Sequence, residues 1–249
     1  MRRTVVITGA SAGIGRALAF EFAHRGYNLG VTARRRTVLE DLRARILESP
    51  KCADLRIELA SFDVGDEEAT SAELRRLFAA LGGVDIVVAN AGVNDLTHVG
   101  KGDLSKESRL IRTNVIGAIA TVDAAVEHFL VRGSGHVVGI SSLASLQPMR
   151  EQAAYCASKA AFSMYLSSAR HELKASNIVV TDILPGFVKT DIVEGVDIAT
   201  LPFAVSVEQA AREIATLVEK RVKRGIVPWF PWALLKPLFG HVPQRFLRP

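Results

Sequence analysis

Short apolar runs alternate along the chain with longer segments whose apolar residues recur every three or four positions. The runs fall at 4–8, 28–33, 55–62, 85–90, 135–141, 178–184 and 225–228, and each predicts a strand. The longer segments fall near 14–25, 37–48, 67–81, 106–131, 153–175 and 207–223, and each predicts a helix. Strands that alternate with helices in this way are joined by crossovers and lie parallel. Uninterrupted apolar stretches such as 5–7 and 86–89 fit strands covered on both faces. The predicted fold class is therefore α/β, a doubly wound parallel sheet of about seven strands with helices on both faces. No repeat, low-complexity tract or linker interrupts it, so 1–249 reads as a single domain. Two regions break the rhythm. Residues 186–206 form a long insertion containing Gly195 and Pro202, and the tail 227–249 carries five prolines among large apolar residues. Neither can be one uninterrupted helix.

Composition narrows this picture. With 249 residues, 49% of them hydrophobic, the chain can bury a sizeable core. Cys52 and Cys156 are distant from each other, which predicts neither a disulfide framework nor a metal site. Met1-Arg2-Arg3 precedes an apolar run like a leader, but Gly9 to Gly15 interrupts it at once. No stretch approaches the ~20 consecutive apolar residues of a membrane span. The expectation is a cytoplasmic protein, at most peripheral to a membrane. A net charge of +5 favours anionic ligands. Nucleic acid is not expected as a partner, because no zinc-finger spacing, basic-aromatic ribbon or recognition-helix signature is present.

Candidate chemistry begins at the turn after the first strand, Thr8-Gly9-Ala10-Ser11-Ala12-Gly13-Ile14-Gly15. Glycines let a backbone approach a pyrophosphate closely, and the helix that follows offers free N–H groups and its positive dipole end. The close glycine pair comes last here, unlike the Gly-x-Gly-x-x-Gly order. The second strand ends at Ala33, where an acidic side chain would bind the adenosine ribose of NAD(H). Arg34-Arg35-Arg36 stand there instead. Guanidinium groups bind phosphate in a charge-assisted fork, so the predicted cofactor is NADP(H), preferred over NAD(H). One of the three, Arg36, is expected to serve the start of the next helix instead.

Tyr155 and Lys159 stand one helical turn apart on one face. The ammonium is expected to lower the phenol's pKa, so that Tyr155 can exchange a proton with a substrate oxygen. Ser141-Ser142, Asn90-Ala91-Gly92 and Pro185-Gly186 all end predicted strands at the edge where ligands collect in parallel sheets. Asn114 lies within the long predicted helix 106–131.

Together these motifs resemble the short-chain dehydrogenase/reductase family, over residues 1 to about 226. Thr8-Gly-x-x-x-Gly-x-Gly15 matches its cofactor turn, and Tyr155-x-x-x-Lys159 its catalytic pair. Asn90-Ala91-Gly92 matches its Asn-Asn-Ala-Gly motif except that Ala89 holds the first position. Asp63-Val64 matches the pair that brackets the adenine, and Pro185-Gly186-Phe187-Val188-Lys189-Thr190 the segment that holds the nicotinamide. Ser142 sits thirteen residues before Tyr155, where the family keeps a serine, and Asn114 matches the active-site asparagine. The resemblance implies a Rossmann-type fold and a role for each residue. Ser142 would orient the substrate oxygen, Tyr155 deliver the proton, Lys159 bind the nicotinamide ribose, and Asn114 hold a water linking Lys159 to solvent. It also implies that 186–206 closes over substrate. Ile192, Val193, Val196, Ile198, Leu201 and Phe203 would give that segment an apolar inner face and favour a hydrophobic substrate. Related proteins associate through the helices at 106–131 and 153–175. The small residues Ala153, Ala154, Ala157, Ala160, Ala161, Ser167, Ser168 and Ala169 suit such a contact, so a homodimer or homotetramer is expected.

The tail combines Trp229, Phe230, Trp232, Leu234, Leu235, Leu238 and Phe239 with His241, Arg245 and Arg248. It suits a membrane-surface segment, a subunit contact or a wall of the substrate pocket. The leading functional expectation is an NADP(H)-dependent oxidoreductase of a small-molecule carbonyl/alcohol substrate, of ketone, aldehyde or 3-oxoacyl type. The alternatives are a non-catalytic NADP-sensing protein and a peripheral membrane reductase of lipid substrates.

Overall fold

The computed structural model describes residues 2–190 and 203–235. The chain runs β1 (Thr4–Thr8), α1 (Gly13–His24), β2 (Asn28–Ala33), α2 (Arg36–Leu47), β3 (Ile57–Ser61), α3 (Glu67–Leu81) and β4 (Ile86–Ala89). It continues through α4 (Leu104–Ile111), a π-helical turn at Arg112–Gly117, α5 (Ala118–Arg132), β5 (Gly135–Ile140) and α6 (Ala153–Glu172). Then follow β6 (Ile178–Pro185), α7 (Val207–Glu219), β7 (Arg224–Val227) and the short α8 (Trp232–Leu235). The strands form one seven-stranded sheet in the order β3-β2-β1-β4-β5-β6-β7, and every ladder is parallel. The winding direction reverses between β1 and β4, which opens a crevice at their carboxyl ends.

Strand side chains alternate between two packed layers. Val5, Ile7, Ile86 and Val88 pack with α1, α2 and α7, whereas Val6, Val87 and Val137 pack with α3, α5 and α6. Both faces are covered, which is why these strands read as continuous apolar runs. In the first layer Ala19 and Phe22 of α1 meet Ala210, Ala211 and Ile214 of α7. In the second, Leu74 and Phe78 of α3 face Val122, Ala125 and Phe129 of α5. Asp66 starts α3 by accepting from the Ala69 N–H at 3.0 Å, a cap that aligns with two acidic residues in the first turn.

Two of the predicted elements change form. The third strand shortens to β3, because Leu29 at the start of its only ladder pairs with Ile57 and leaves Leu55 outside. The predicted helix 106–131 is α4 and α5 joined by the π turn. This same stretch, Leu104–Arg132, is also long and apolar enough by composition to cross a membrane, contrary to expectation. Its apolar side is instead used internally: Ala118, Val122, Ala125 and Phe129 are buried in the second layer.

Candidate active site

A cleft of about 600 Å³ opens at the carboxyl ends of β1, β4, β5 and β6. Every residue predicted to hold the cofactor borders it, as do Ser142, Tyr155 and Lys159. Asn114 lies directly behind, in hydrogen-bond contact with the lining residue Val93.

The floor is the turn between β1 and α1. Gly9 adopts φ +70, and a Cβ there would stand 2.7 Å from the Ala91 Cα. A Cβ on Gly15 would stand 2.4 Å from both the Asn90 amide nitrogen and the Gly9 carbonyl oxygen. Only glycine fits this approach of β1 to β4. Polar bonds hold it in place. The Asn90 side-chain amide donates to the carbonyls of Thr8 (2.9 Å) and Gly9 (3.3 Å), and the Thr8 hydroxyl accepts from the Asn90 and Ala91 N–H groups. Ala12 precedes α1 and supplies no side-chain cap, so the first N–H groups of the helix face the cleft without one. A backbone cradle at a helix N-terminus fits the pyrophosphate of a dinucleotide.

At the end of the cleft nearest β2, that strand delivers Arg34 and Arg35 to the rim. Arg36 opens α2 and pairs with Glu40 at 3.1 Å, as expected of a helix start. The Arg34 guanidinium also lies 3.8 Å from an Asp63 carboxylate oxygen, a pairing not foreseen from sequence. Both side chains are exposed, so this contact is weak and leaves Arg34 available to a stronger anion. The other Asp63 oxygen accepts from the Gly65 N–H at 2.9 Å and so shapes the loop beside Val64.

At the opposite end, Tyr155 and Lys159 project from α6, and Ser142 caps the short 3-10 turn after β5. The Ser142 hydroxyl accepts from the Ala144 N–H at 3.1 Å, donates to the Pro185 carbonyl at 3.5 Å, and lines the cleft together with the Tyr155 phenol. Lys159 Nζ donates to the Ile140 carbonyl at 3.0 Å, and the Ser141 hydroxyl donates to the Lys159 carbonyl at 3.1 Å. These bonds pin α6 to the end of β5. Asn114 sits in the π turn and is buried. Its amide oxygen accepts from the Val93 N–H at 2.8 Å, and its amide nitrogen donates to the Val93 carbonyl (2.8 Å) and the Ser158 hydroxyl (3.1 Å). The side chain therefore clamps the segment after β4 to α6. A π turn widens the helix by one residue, which brings Asn114 to that segment.

Electrostatics correct one expectation. Lys159 was expected to make the phenol more acidic. Burial instead pushes the Tyr155 phenol up to about 12, only partly opposed by the nearby Ser142 hydroxyl. Burial likewise lowers the Lys159 ammonium to about 8, with Asp182 opposing. In a dry site the neutral form of each group is favoured, and with Nζ 5.8 Å from the ring centroid that effect outweighs the attraction between them. A phenol of this kind keeps its proton at neutral pH and is poised to donate it.

Several lining residues were not singled out from sequence. Asn94, Gln147, Met149 and Gln152 border the cleft at the end that holds Tyr155. Their position two residues after Gly92, or just before Tyr155, was the available signal. Trp232 also lines the cleft, edge-on to Phe187 and Phe203 with ring centroids at 5.5 and 6.0 Å. This fits the pocket-wall reading for that part of the tail. Ile192, Val193, Val196, Ile198 and Leu201 of the covering segment lie outside the described residues, as do Leu238, Phe239, His241, Arg245 and Arg248 of the tail. Among the described residues no cluster of potential metal ligands occurs.

Comparison with known proteins agrees with this layout. Residues 3–199 match the family model described as short chain dehydrogenase. An uncharacterized oxidoreductase of Myxococcus xanthus is 37% identical over 236 residues, covering 94% of this chain and 90% of that protein. One of Mycobacterium tuberculosis is 34% identical, covering 99% and 96%. Among solved structures, a short-chain dehydrogenase from Sphingobium yanoikuyae in complex with NADPH superposes with a TM-score of 0.84 at 28% identity, covering 96% and 93%. A bulky-bulky ketone specific alcohol dehydrogenase from Comamonas testosteroni gives 0.81 at 26% identity, covering 95% and 90%.

Proposed function

Because the chain belongs to the short-chain dehydrogenase family of oxidoreductases, we propose that it interconverts a hydrophobic ketone or aldehyde and its alcohol with NADP(H). The observation that carries this reading is the convergence of Ser142, Tyr155 and Lys159 on one wall of the cleft, with Lys159 tied to the end of β5. One substrate oxygen bound there can bond to the hydroxyls of both Ser142 and Tyr155. Ser142 then holds the oxygen, and Tyr155 gives it a proton as negative charge develops. Lys159 binds the nicotinamide ribose, and Asn114 keeps α6 and the strand end in register. The reduced nicotinamide, when bound, supplies the hydride. The Gly9–Gly15 cradle holds its pyrophosphate, Asp63 and Val64 the adenine, and Pro185, Gly186, Val188 and Thr190 the nicotinamide. Arg34 and Arg35 at the rim favour the 2′-phosphate of NADP(H). Leu143, Met149, Phe187 and Trp232 give the substrate end an apolar wall. The likeness to a bulky-ketone dehydrogenase supports the same substrate class. The test is NADPH oxidation across a panel of ketones and aldehydes. Turnover of apolar ketones is the expected result, and no turnover of any carbonyl would refute the reading.

The lysine predicts a pH limb. Its pKa lies near 8, below the ordinary 10.5, so the ammonium is present below about pH 8 and lost above it. We expect kcat/KM for ketone reduction to be flat below that pH and to fall by up to tenfold per unit above it. Lys159→Arg, which stays charged, should show lower activity with no limb near 8. A profile for the native protein that stays flat to pH 10 would contradict this assignment.

Assembly and location extend the proposal. Ala157, Ala160, Ala161 and Ser168 form an exposed small-residue face on α6, although Ala154 points inward. We expect a homodimer or homotetramer built on this face, read by light scattering. Trp229, Phe230 and Leu234 are exposed beside the basic run Lys220–Arg224, which suits contact of an otherwise cytoplasmic protein with an anionic membrane. Flotation with anionic liposomes should exceed that with neutral ones. Equal flotation with and without residues 228–249 would remove the membrane role.

A further inference from the structure

Asn94, at the cleft wall near Tyr155, holds a buried acceptor that no described residue satisfies. Asn94 is 6% exposed, borders the cleft, and has an amide oxygen with no hydrogen-bond partner. Its amide nitrogen is held by Gln152, donating to the Gln152 side-chain oxygen at 3.2 Å. Gln152 is itself buried, borders the same cleft, and stands three residues before Tyr155. The amide of Asn94 is thus turned so that its nitrogen is used and its oxygen is not. An acceptor buried without a donor is destabilising, and a donor brought by a ligand removes that penalty.

The surrounding backbone holds this arrangement. Glu151, just before Gln152, adopts φ +61, a conformation costly for a residue with a side chain. The Thr97 N–H donates to the Glu151 carbonyl at 2.8 Å, and His98 lies 3.8 Å from the Glu151 carboxylate. The segment after β4 and the segment before α6 are therefore clamped together with Asn94 and Gln152 between them. Strain retained beside a cleft marks a site whose geometry matters.

We propose that Asn94, oriented by Gln152, accepts a hydrogen bond from a hydroxyl of the substrate that is separate from the reacting carbonyl. The preferred substrate is then a hydroxy-ketone with an otherwise apolar body, and its product a diol. This deepens the reductase reading above and rests on it for the identity of the reacting group. Sites built to bond a hydroxyl discriminate strongly against analogues lacking it, because the buried partner is left unpaired.

The test uses aryl alkyl ketones in which a hydroxyl replaces a methyl group at successive carbons beyond the carbonyl. For at least one position, wild-type kcat/KM should favour the hydroxy-ketone by about tenfold or more. Asn94→Leu should bring that ratio close to one. Asn94→Asp, which keeps an acceptor, should retain most of the preference. Should the leucine variant fail to fold, Asn94→Ala reads the same loss without a bulky replacement. In parallel, the rise in melting temperature caused by the product diols with NADP+ present is read for each variant, which needs no turnover. The rise should exceed that with the methyl-substituted alcohols in wild type and shrink to it in Asn94→Leu. A wild type indifferent to the hydroxyl at every position, or a preference that survives Asn94→Leu, would overturn the inference. Absence of turnover with every ketone would instead count against the reductase reading, and the melting shifts would still decide the role of Asn94.

Discussion

Tyr155→Phe is expected to lower kcat for ketone reduction by about 10³-fold, within the 10²–10⁴-fold range of a positioned general acid. The change deletes one oxygen. The ring remains buried between α6 and the loop after β5, so packing and cofactor affinity should be nearly unchanged. The hydroxyl it removes is the one beside Ser142 in the cleft, and its high pKa keeps it protonated at the pH of assay. Without it, negative charge growing on the substrate oxygen has only Ser142 to stabilise it and no proton to neutralise it. Steady-state rates together with NADPH affinity from fluorescence titration check this. Equal rates in the two proteins would show that Tyr155 is not the acid, and a parallel collapse in NADPH affinity would show a structural effect.

Arg34→Asp should lower the ratio of kcat/KM with NADPH to that with NADH by about 100-fold. Hydrogen bonds to a charged phosphate are worth roughly 1.5–3 kcal/mol, or about 10- to 100-fold in binding, and the new carboxylate adds repulsion. The existing contact to Asp63 does not offset this, because an exposed pair at 3.8 Å contributes little. The same substitution places an acceptor at the end of β2, where a ribose hydroxyl would meet it. Initial rates with both cofactors, in wild type and variant, read the effect. A wild-type preference for NADH would overturn the charge argument at its root.

What could be read from the chain, and what could not, divides along physical lines. Val5-Val6-Ile7 betrays a strand covered on both faces, because neighbouring side chains must enter different apolar layers. Gly9 and Gly15 mark the turn because no other residue tolerates the approach of Ala91 and Asn90. Tyr155 and Lys159 are paired by helical spacing alone. The π turn at Asn114 left little trace, since one extra residue hardly alters an apolar pattern already rich in alanine. The pKa directions of Tyr155 and Lys159 depend on burial, which a motif does not report. Asn94 and Gln152 are 58 positions apart, so their pairing exists only once the loops after β4 and before α6 meet. Trp232 likewise becomes a cleft residue only by packing on Gly186, where an added Cβ would stand 2.8 Å from its ring nitrogen.

Transfer of deuterium from NADPH labelled at the nicotinamide C4 to the carbinol carbon of an apolar ketone tests the account most directly. Mass spectrometry should find one deuterium in the alcohol formed by the native protein, from one of the two C4 positions only, and essentially none with Tyr155→Phe in the same time. Alcohol without label, label from both positions, or equal incorporation by the variant would contradict it.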